Sequence, residues 1–398
     1  AQAIAGSSRS PALLSRSCVP FGRPGNKRQR QIATATVAMM MRCFEVTEYG
    51  SDPEKVLREG KRDVPCPRAG KTAADSRILV KVKAAAMNPL DYKMVRGVAR
   101  SIFELRFPMI IFNDFAGEVI ALPEGVQTGF QVGDRVVGCL EMEKDRAKHG
   151  SGTCAEFCAA QASHLTKLPA NVSCEAAAPM GVVCCTVWQS LCKKAGFTAL
   201  TAASKRILIL GGSSSCGLVA IQLAKLWGAK DIVTTSSQRE LCMSLGATRV
   251  LNHRDGEVWH ELLQNEQFDI LFNAVEGRSA WDNCGRGIVK SGWAGGTCVS
   301  IVNDYPEKDF TYGAVFQMLG AILWRKLSSW FGNPNYILAL DTNASDGMSE
   351  CVSLIAEQKL RIPIDPSGPF KSTLEDARRM WTLQQSGRAH GKLLMLWE

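Results

Sequence analysis

Between Lys205 and Ala229 the sequence reads KRILILGGSSSCGLVAIQLAKLWGA: a short apolar run, a Gly/Ser cluster, then apolar residues at helical spacing. This is the pattern of a buried strand, a tight turn and a helix. Such a turn leaves main-chain N–H groups pointing outward at the positive end of a helix dipole, so the segment offers a seat for a phosphate. The candidate contacts are Gly212, Ser213, Ser214, Ser215, Cys216 and Gly217. Aligned with the dinucleotide fingerprint, the three key positions are Gly212, Ser214 and Gly217, so serine replaces the middle glycine. A Cβ then stands where the backbone usually approaches a pyrophosphate, and a hydroxyl donor is offered in return. A surface turn of small residues would have the same composition.

The next corner bears on which dinucleotide would fit. Asp231 to Ser236 reads as the second strand, and an acidic residue that would hold a ribose 2′-hydroxyl is expected about 20 residues after the glycines. None is there. Thr234, Thr235, Ser236, Ser237, Gln238 and Arg239 occupy the corner, and His253 and Arg254 follow the third strand, Arg249 to Leu251. Hydroxyls and guanidinium groups suit a 2′-phosphate, which points to NADPH over NADH; an ordinary solvated turn is the alternative. A second polar group lies in AAAMNPLDYKMVRG, where Pro89 breaks a strand and leaves Asn88, Asp91, Tyr92 and Lys93 on the segment that follows.

The elements that must position these residues can be read from periodicity. Arg42 to Thr47 and Ser76 to Ala84 alternate as half-buried strands, and Asp114 to Val137 alternates strongly around turn residues, as expected of two or more antiparallel strands. From about residue 180, strands near 207–210, 231–235, 249–251, 268–273 and 297–302 alternate with helical patterns, the rhythm of a doubly wound parallel sheet. A helix over 346–358 and short strands at 361–364 and 393–396 close the chain. The 398 residues suffice for two cores. The net charge of +9 is local: seven basic residues and no acidic one lie in residues 1–44. The rest of the chain gives no support to a nucleic-acid surface. Residues 1–40, rich in Ala, Ser and Arg, have the composition of an organelle transit peptide, mitochondrial in preference to plastid, with a disordered basic arm as the alternative. The 15 cysteines are scattered and odd in number, which predicts reduced, buried thiols. The apolar stretch Ala314 to Trp324 is too short to span a bilayer. It reads as a helix over the substrate cleft or a dimer contact, with docking on lipid as the alternative.

GEVIALPEGVQTGFQVGDRVVG, NPLDYK, SGTCAEF, PMGVVCCTVWQSL, LILGGSSSCGLVAIQLAK and SGRAHGKLLML occur in the order of similar blocks in the medium-chain dehydrogenase/reductase superfamily. They most resemble its quinone oxidoreductase (zeta-crystallin) branch, and WRKLSSWF brings the chain near the reticulon-4-interacting mitochondrial oxidoreductases. The resemblance implies an α/β fold in which a GroES-like, partly open β-barrel domain (residues 41–179 and 341–398) receives an inserted Rossmann domain (180–340). It further implies NADPH as cofactor, a quinone or α,β-unsaturated carbonyl as hydride acceptor, and a homodimer or a place in a larger complex. Where zinc-dependent relatives carry their ligands, this chain has Asn88, Asn113 with Asp114, and no ligand near Val182, so no metal is expected. His149, Cys154 and Cys158 form the only local cluster of ligand types. By the same resemblance Asn88 lies beside the nicotinamide, Lys93 with Tyr92 faces the substrate oxygen, and Thr186, Asn273, Val275 and Arg388 contact the cofactor. A member that kept the fold but serves as an assembly subunit is the rival reading, because Ser214 and Lys93 both depart from the family pattern.

Overall fold

The computed structural model describes residues 39–398 except 99, 102–103, 142–148, 286, 305–310 and 340–346; the segment read as a transit peptide therefore lies outside the described residues, apart from its last two positions. Two sheets of opposite character carry the molecule. The barrel half is antiparallel and is built from β1 (Met40–Val46), β2 (Leu57–Asp63), β3 (Arg77–Met87), β4 (Met109–Ile110), β5 (Asp114–Ala121), β6 (Arg135–Cys139), β7 (Phe157–Gln161) and β8 (Leu165–Lys167). β1 lies between β2 and β4 in a small sheet; β3 is the spine of a seven-stranded one, with β5 on one side and both β7 and the last strand of the chain along the other. Alternation along β1, β3 and β5 buries Phe44, Val80, Val82, Phe115 and Val119 in one core, which Trp381 and Met395 complete from the C-terminal segment.

The parallel half runs β9 (Arg206–Leu210), β10 (Asp231–Thr235), β11 (Arg249–Leu251), β12 (Ile270–Asn273), β13 (Thr297–Ser300) and β14 (Asn335–Leu338), in the spatial order β11-β10-β9-β12-β13-β14. Strand order reverses at β9, the switch point at which open α/β sheets leave a crevice. Ile207 to Leu210 are fully buried because helices cover both faces of this strand, which is why the run is continuously apolar and does not alternate.

Seven helices matter to the site and its supports: α1 (Pro89–Arg96), α2 (Gly181–Val187), α3 (Ser215–Leu226), α4 (Arg239–Leu245), α5 (Tyr312–Ser328), α6 (Met348–Ala356) and α7 (Leu374–Gln385). The chain then returns to the barrel through β15 (Phe370–Lys371) and β16 (Leu393–Leu396), the latter antiparallel to β3. α3 ends just before Gly228, which takes φ +73°.

Several expectations need correction. Residues 361–364 form no strand; Ile364 makes only an isolated bridge to Lys392. Gln222, a polar side chain on α3, is buried, and its amide makes a two-way bond with the main chain of Arg361, at 2.8 and 3.0 Å, that ties α3 to the return segment. Cys66 is disulfide-bonded, against the expectation of reduced thiols throughout, whereas Cys43, Cys154, Cys184 and Cys298 are buried thiols. His149 and Cys158 line a surface cavity of about 400 Å³, but Cys154 turns inward to Met395 at 3.6 Å, so the three do not converge as ligands. The 314–324 stretch is helical, within α5, and packs on the outer strand β14. Arg325 anchors it, buried over the rings of Trp281 and Tyr336 and bidentate to Asp304 at 2.7 and 2.8 Å. Its other face, with Tyr312, Phe316, Leu319, Leu323 and Trp324, is exposed. Among the described residues no helix is long and apolar enough to cross a membrane.

Candidate active site

The Gly/Ser turn leaves β9 at the centre of the parallel sheet and starts α3. Gly211 takes φ +87°, and a Cβ there would lie 2.4 Å from the side chain of Val275. A Cβ on Gly212 would lie 2.2 Å from Thr234 Oγ1, and one on Gly217 would lie 2.2 Å from the Gly211 carbonyl oxygen. The outer two fingerprint positions are therefore held to glycine by packing. Ser214 is not: its φ and ψ of −67° and 153° are open to any residue. It is the N-cap of α3, and its Oγ accepts the Gly217 amide at 3.1 Å. The hydroxyl that replaces glycine thus folds back onto its own helix and engages one amide. The amides of Ser213, Ser215 and Cys216 donate to no partner among the described residues, and they stand at the positive end of a helix of 12 residues. A diphosphate fits this donor set. In half-buried Cys216, desolvation pushes the thiol up to about 12 against the pull of the Lys392 ammonium.

The adenosine-side corner is more constrained than its composition suggested. Thr234 and Thr235, expected as phosphate donors, are buried: Thr234 Oγ1 donates its proton to the Ile209 carbonyl at 2.7 Å, and Thr235 Oγ1 accepts the amide of Gly211, just past β9, at 3.0 Å, a bond that does not use its own proton. Ser236 is buried and its Oγ accepts the Gln238 amide. Ser237 is half-buried at the turn. Arg239, the first residue of α4, is paired with Glu257 at 2.9 Å, a residue the sequence reading did not weigh. Arg254 is exposed, with its amide bound to Asn252 Oδ1, and the side chain of His253 lies outside the described residues. Arg388 lines a surface groove with Phe370, Arg378 and Arg379; the residue of its segment that reaches the corner is His390, whose Nε2 is 3.3 Å from Gln238 Nε2.

Asn273 closes β12 by accepting the amides of Val275 and Glu276 on Oδ1 and donating to Ser300 Oγ, so it builds a turn that carries Val275 to the phosphate loop. Thr186 lies inside α2, half-buried, with its carbonyl accepting the Ser190 hydroxyl at 2.6 Å.

The barrel contributes a buried ionic cluster. Strand register explains it: β16 pairs with β3 so that Leu393 faces Met87, and β5 pairs on the other side so that Asp114 faces Ala86. The residues just beyond, Lys392 and Asn88, thus meet Asp114 at one end of three adjacent strands. Lys392 Nζ lies 2.9 Å from Asp114 Oδ2 and donates also to Asn88 Oδ1. Asn88 Nδ2 donates to the same carboxylate oxygen at 2.9 Å, and the Val182 amide donates to Oδ1 at 2.9 Å. The side chains of Lys392 and Asp114 are 2% and 0% exposed. Gly181 makes room, since a Cβ there would lie 2.3 Å from Asp114 Oδ1. By the resemblance, Asn88, Asn113 with Asp114, and the stretch near Val182 stand where zinc-dependent relatives carry their ligands, and here the Lys392 ammonium binds Asn88 and Asp114. Asn113 Oδ1, buried beside them, has no partner among the described residues.

Of the other two residues expected to face substrate, Tyr92 is buried in the barrel core on α1 and Lys93 is half-buried on the same helix. Asn88 begins that helix through a capping box with Asp91, whose Oδ2 accepts the Asn88 amide at 2.7 Å. Lys392 was not among the residues expected at the site. The only available signal was a lysine directly before a four-residue apolar strand, a poor place for an unpaired charge.

An antiparallel barrel joined to a six-stranded parallel sheet with a Gly/Ser turn at its switch point defines a GroES-like plus Rossmann-like α/β architecture. Residues 74–170 match the alcohol dehydrogenase GroES-like domain, and residues 216–320 match the family described as zinc-binding dehydrogenase. The chain belongs to the medium-chain dehydrogenase/reductase superfamily, in its quinone oxidoreductase-like branch. It is 28% identical to the chloroplastic quinone-oxidoreductase homolog of Spinacia oleracea, over 90% of this chain and 99% of that protein. It is 29% identical to the mitochondrial NAD(P)H oxidoreductase RTN4IP1 of Danio rerio, over 61% of this chain and 64% of that protein, slightly under two thirds of its length. The quinone oxidoreductase structure from Coxiella burnetii superposes with a TM-score of 0.69 at 24% identity, over 90% of this chain and all of the other, a likeness of fold.

Proposed function

We propose that this protein is an NADPH-dependent oxidoreductase that delivers hydride to a quinone or an α,β-unsaturated carbonyl without zinc. The observation that carries the reading is the set of unpartnered amides of Ser213, Ser215 and Cys216 at the switch point of the parallel sheet. They would hold the diphosphate, and Val275 would bound the same cleft from the end of β12. The names of the similar proteins, an NAD(P)H oxidoreductase and a quinone-oxidoreductase homolog, favour this chemistry. Their mitochondrial and chloroplastic descriptions favour an organelle, consistent with the basic first segment.

When bound, the nicotinamide supplies the hydride. The chain's own residues hold and polarise. Lys392 fixes a positive charge in the buried end of the barrel, bonded to the two positions at which a metal would be sought. Asn88 has both amide ends engaged there, so its orientation is locked and it serves as a positioning residue. Lys93, half-buried on the helix that Asn88 starts, remains the candidate donor toward an acceptor oxygen that gains charge. Tyr92 is assigned to packing.

Titration of the protein with NADPH, followed by nicotinamide fluorescence, tests the reading. Saturation at micromolar cofactor, with NADPH consumption on addition of quinones or enals, is expected. Absence of binding at millimolar cofactor would remove the enzymatic reading and leave the fold. Metal analysis of the purified protein should give zinc far below one equivalent.

A further inference from the structure

The corner where an adenosine ribose would sit holds the Arg239 guanidinium and, against it, the Glu257 carboxylate. Arg239 NH2 donates to Glu257 Oε2 at 2.9 Å, and the same oxygen accepts the main-chain amide of Asn252 at 2.5 Å. The partners differ in freedom. The carboxylate is tied to the backbone at the end of β11, beside the end of β10, whereas the guanidinium is held by a side-chain contact alone and is 48% exposed. Ser236 lies between them and the phosphate turn in sequence, and its Oγ is bound to the Gln238 amide. A ligand arriving at this corner therefore meets a guanidinium whose charge is already balanced by a fixed carboxylate.

We propose that Glu257 is a cofactor-selectivity residue: it competes with a ribose 2′-phosphate for Arg239 and so holds the preference for NADPH over NADH well below what Arg239 alone would give. This rests on the dinucleotide reading above. The physical reasoning is short. A 2′-phosphate dianion gains from a guanidinium and loses from a carboxylate at similar range, and the two contributions partly cancel. A ribose that carries only a hydroxyl has no charge to repel and can donate to the carboxylate. Glu257 cannot relieve the conflict by swinging away without giving up the Asn252 amide. Arg239 has five N–H donors, so it can turn toward a phosphate, but only by weakening its existing pair.

The test is a set of dissociation constants measured by calorimetry for NADPH, NADH, 2′,5′-ADP and 5′-AMP on the full chain. The last two probes report the adenosine half without any turnover. Glu257→Gln keeps the side-chain shape and an oxygen for the Asn252 amide while removing the charge. It is expected to tighten 2′,5′-ADP and NADPH by about three- to fivefold, the upper range for a pair this exposed, and to leave 5′-AMP and NADH within about twofold. In an Arg239→Ala background the same substitution should act only through the removed repulsion, so the gain for 2′,5′-ADP should fall below about twofold. An unchanged NADPH:NADH ratio in Glu257→Gln would overturn this inference while leaving the dinucleotide reading intact, and so would a ratio that moves toward NADH. Failure of the unaltered protein and the variants to bind any of the four ligands would overturn both. Circular dichroism and the melting transition of Glu257→Gln show that the corner is folded.

Discussion

Replacing Lys392 by methionine removes the cation of the buried cluster while keeping most of the side-chain volume. The carboxylate of Asp114, with no exposed surface, would keep only the Val182 amide and Asn88 Nδ2 as donors, and Asn88 Oδ1 would lose its donor inside the protein. Deleting one member of a buried ion pair costs about 3–5 kcal/mol, because the charge left behind has neither water nor partner. For a cooperative unit of roughly 150–250 residues this lowers the melting temperature by about 6–20 °C, a large part of a stability of order 5–15 kcal/mol. Asp114→Asn should be costly for the mirror-image reason, leaving the ammonium unpaired. The combined variant should then be less destabilised than the sum of the two single changes by at least ~2 kcal/mol, since neither charge remains. Urea denaturation of all four proteins, read by tryptophan fluorescence, measures the cycle. Additive single changes, or a Lys392→Met cost below about 1 kcal/mol, would refute the claim that this pair is dry and mutually dependent.

Other consequences are simpler. Gly181→Ala should destabilise by about 1–3 kcal/mol in the same urea assay, because its Cβ would press on Asp114 Oδ1. Ser214→Ala should cost about 0.5–2 kcal/mol through loss of the α3 cap, while Ser214→Gly costs only a few tenths; NADPH titrations should show both variants still binding, since the amides of Ser213, Ser215 and Cys216 are untouched. The Arg206 guanidinium, with help from Arg249, holds the Glu266 carboxyl below its ordinary range. A depressed carboxyl contributes stability that is fully present above its unfolded value of about 4.3 and is lost as pH falls through the folded value. The urea midpoint of the unaltered protein should therefore fall below about pH 4.3, and Glu266→Gln should flatten that fall. Burial pushes the Cys43 thiol up to about 12, so alkylating reagents at pH 8 should leave it unlabelled until urea is added.

Sequence alone determined the alternation of strands and helices in the parallel half and the place of the Gly/Ser turn that starts α3. Those features are local. A continuous apolar run such as Ile207–Leu210, a glycine that must take positive φ at Gly228, and a proline that starts α1 after Asn88 each act over a few residues, where periodicity and backbone sterics leave little choice. Short or exposed elements such as β2 and β14 gave too weak a pattern to be read.

Tertiary structure decided which polar groups are free. Thr234 looked like a phosphate donor until strand pairing turned its hydroxyl onto the Ile209 carbonyl of β9, and Arg239 looked like an unopposed cation until the chain after β11 brought Glu257 against it. Lys392 and Asn88 are separated by most of the sequence and meet only because β16 docks on β3. Charge and hydrogen-bond partners depend on distances of a few ångströms between residues hundreds of positions apart, and nothing in the types or spacing of the residues themselves encodes those distances.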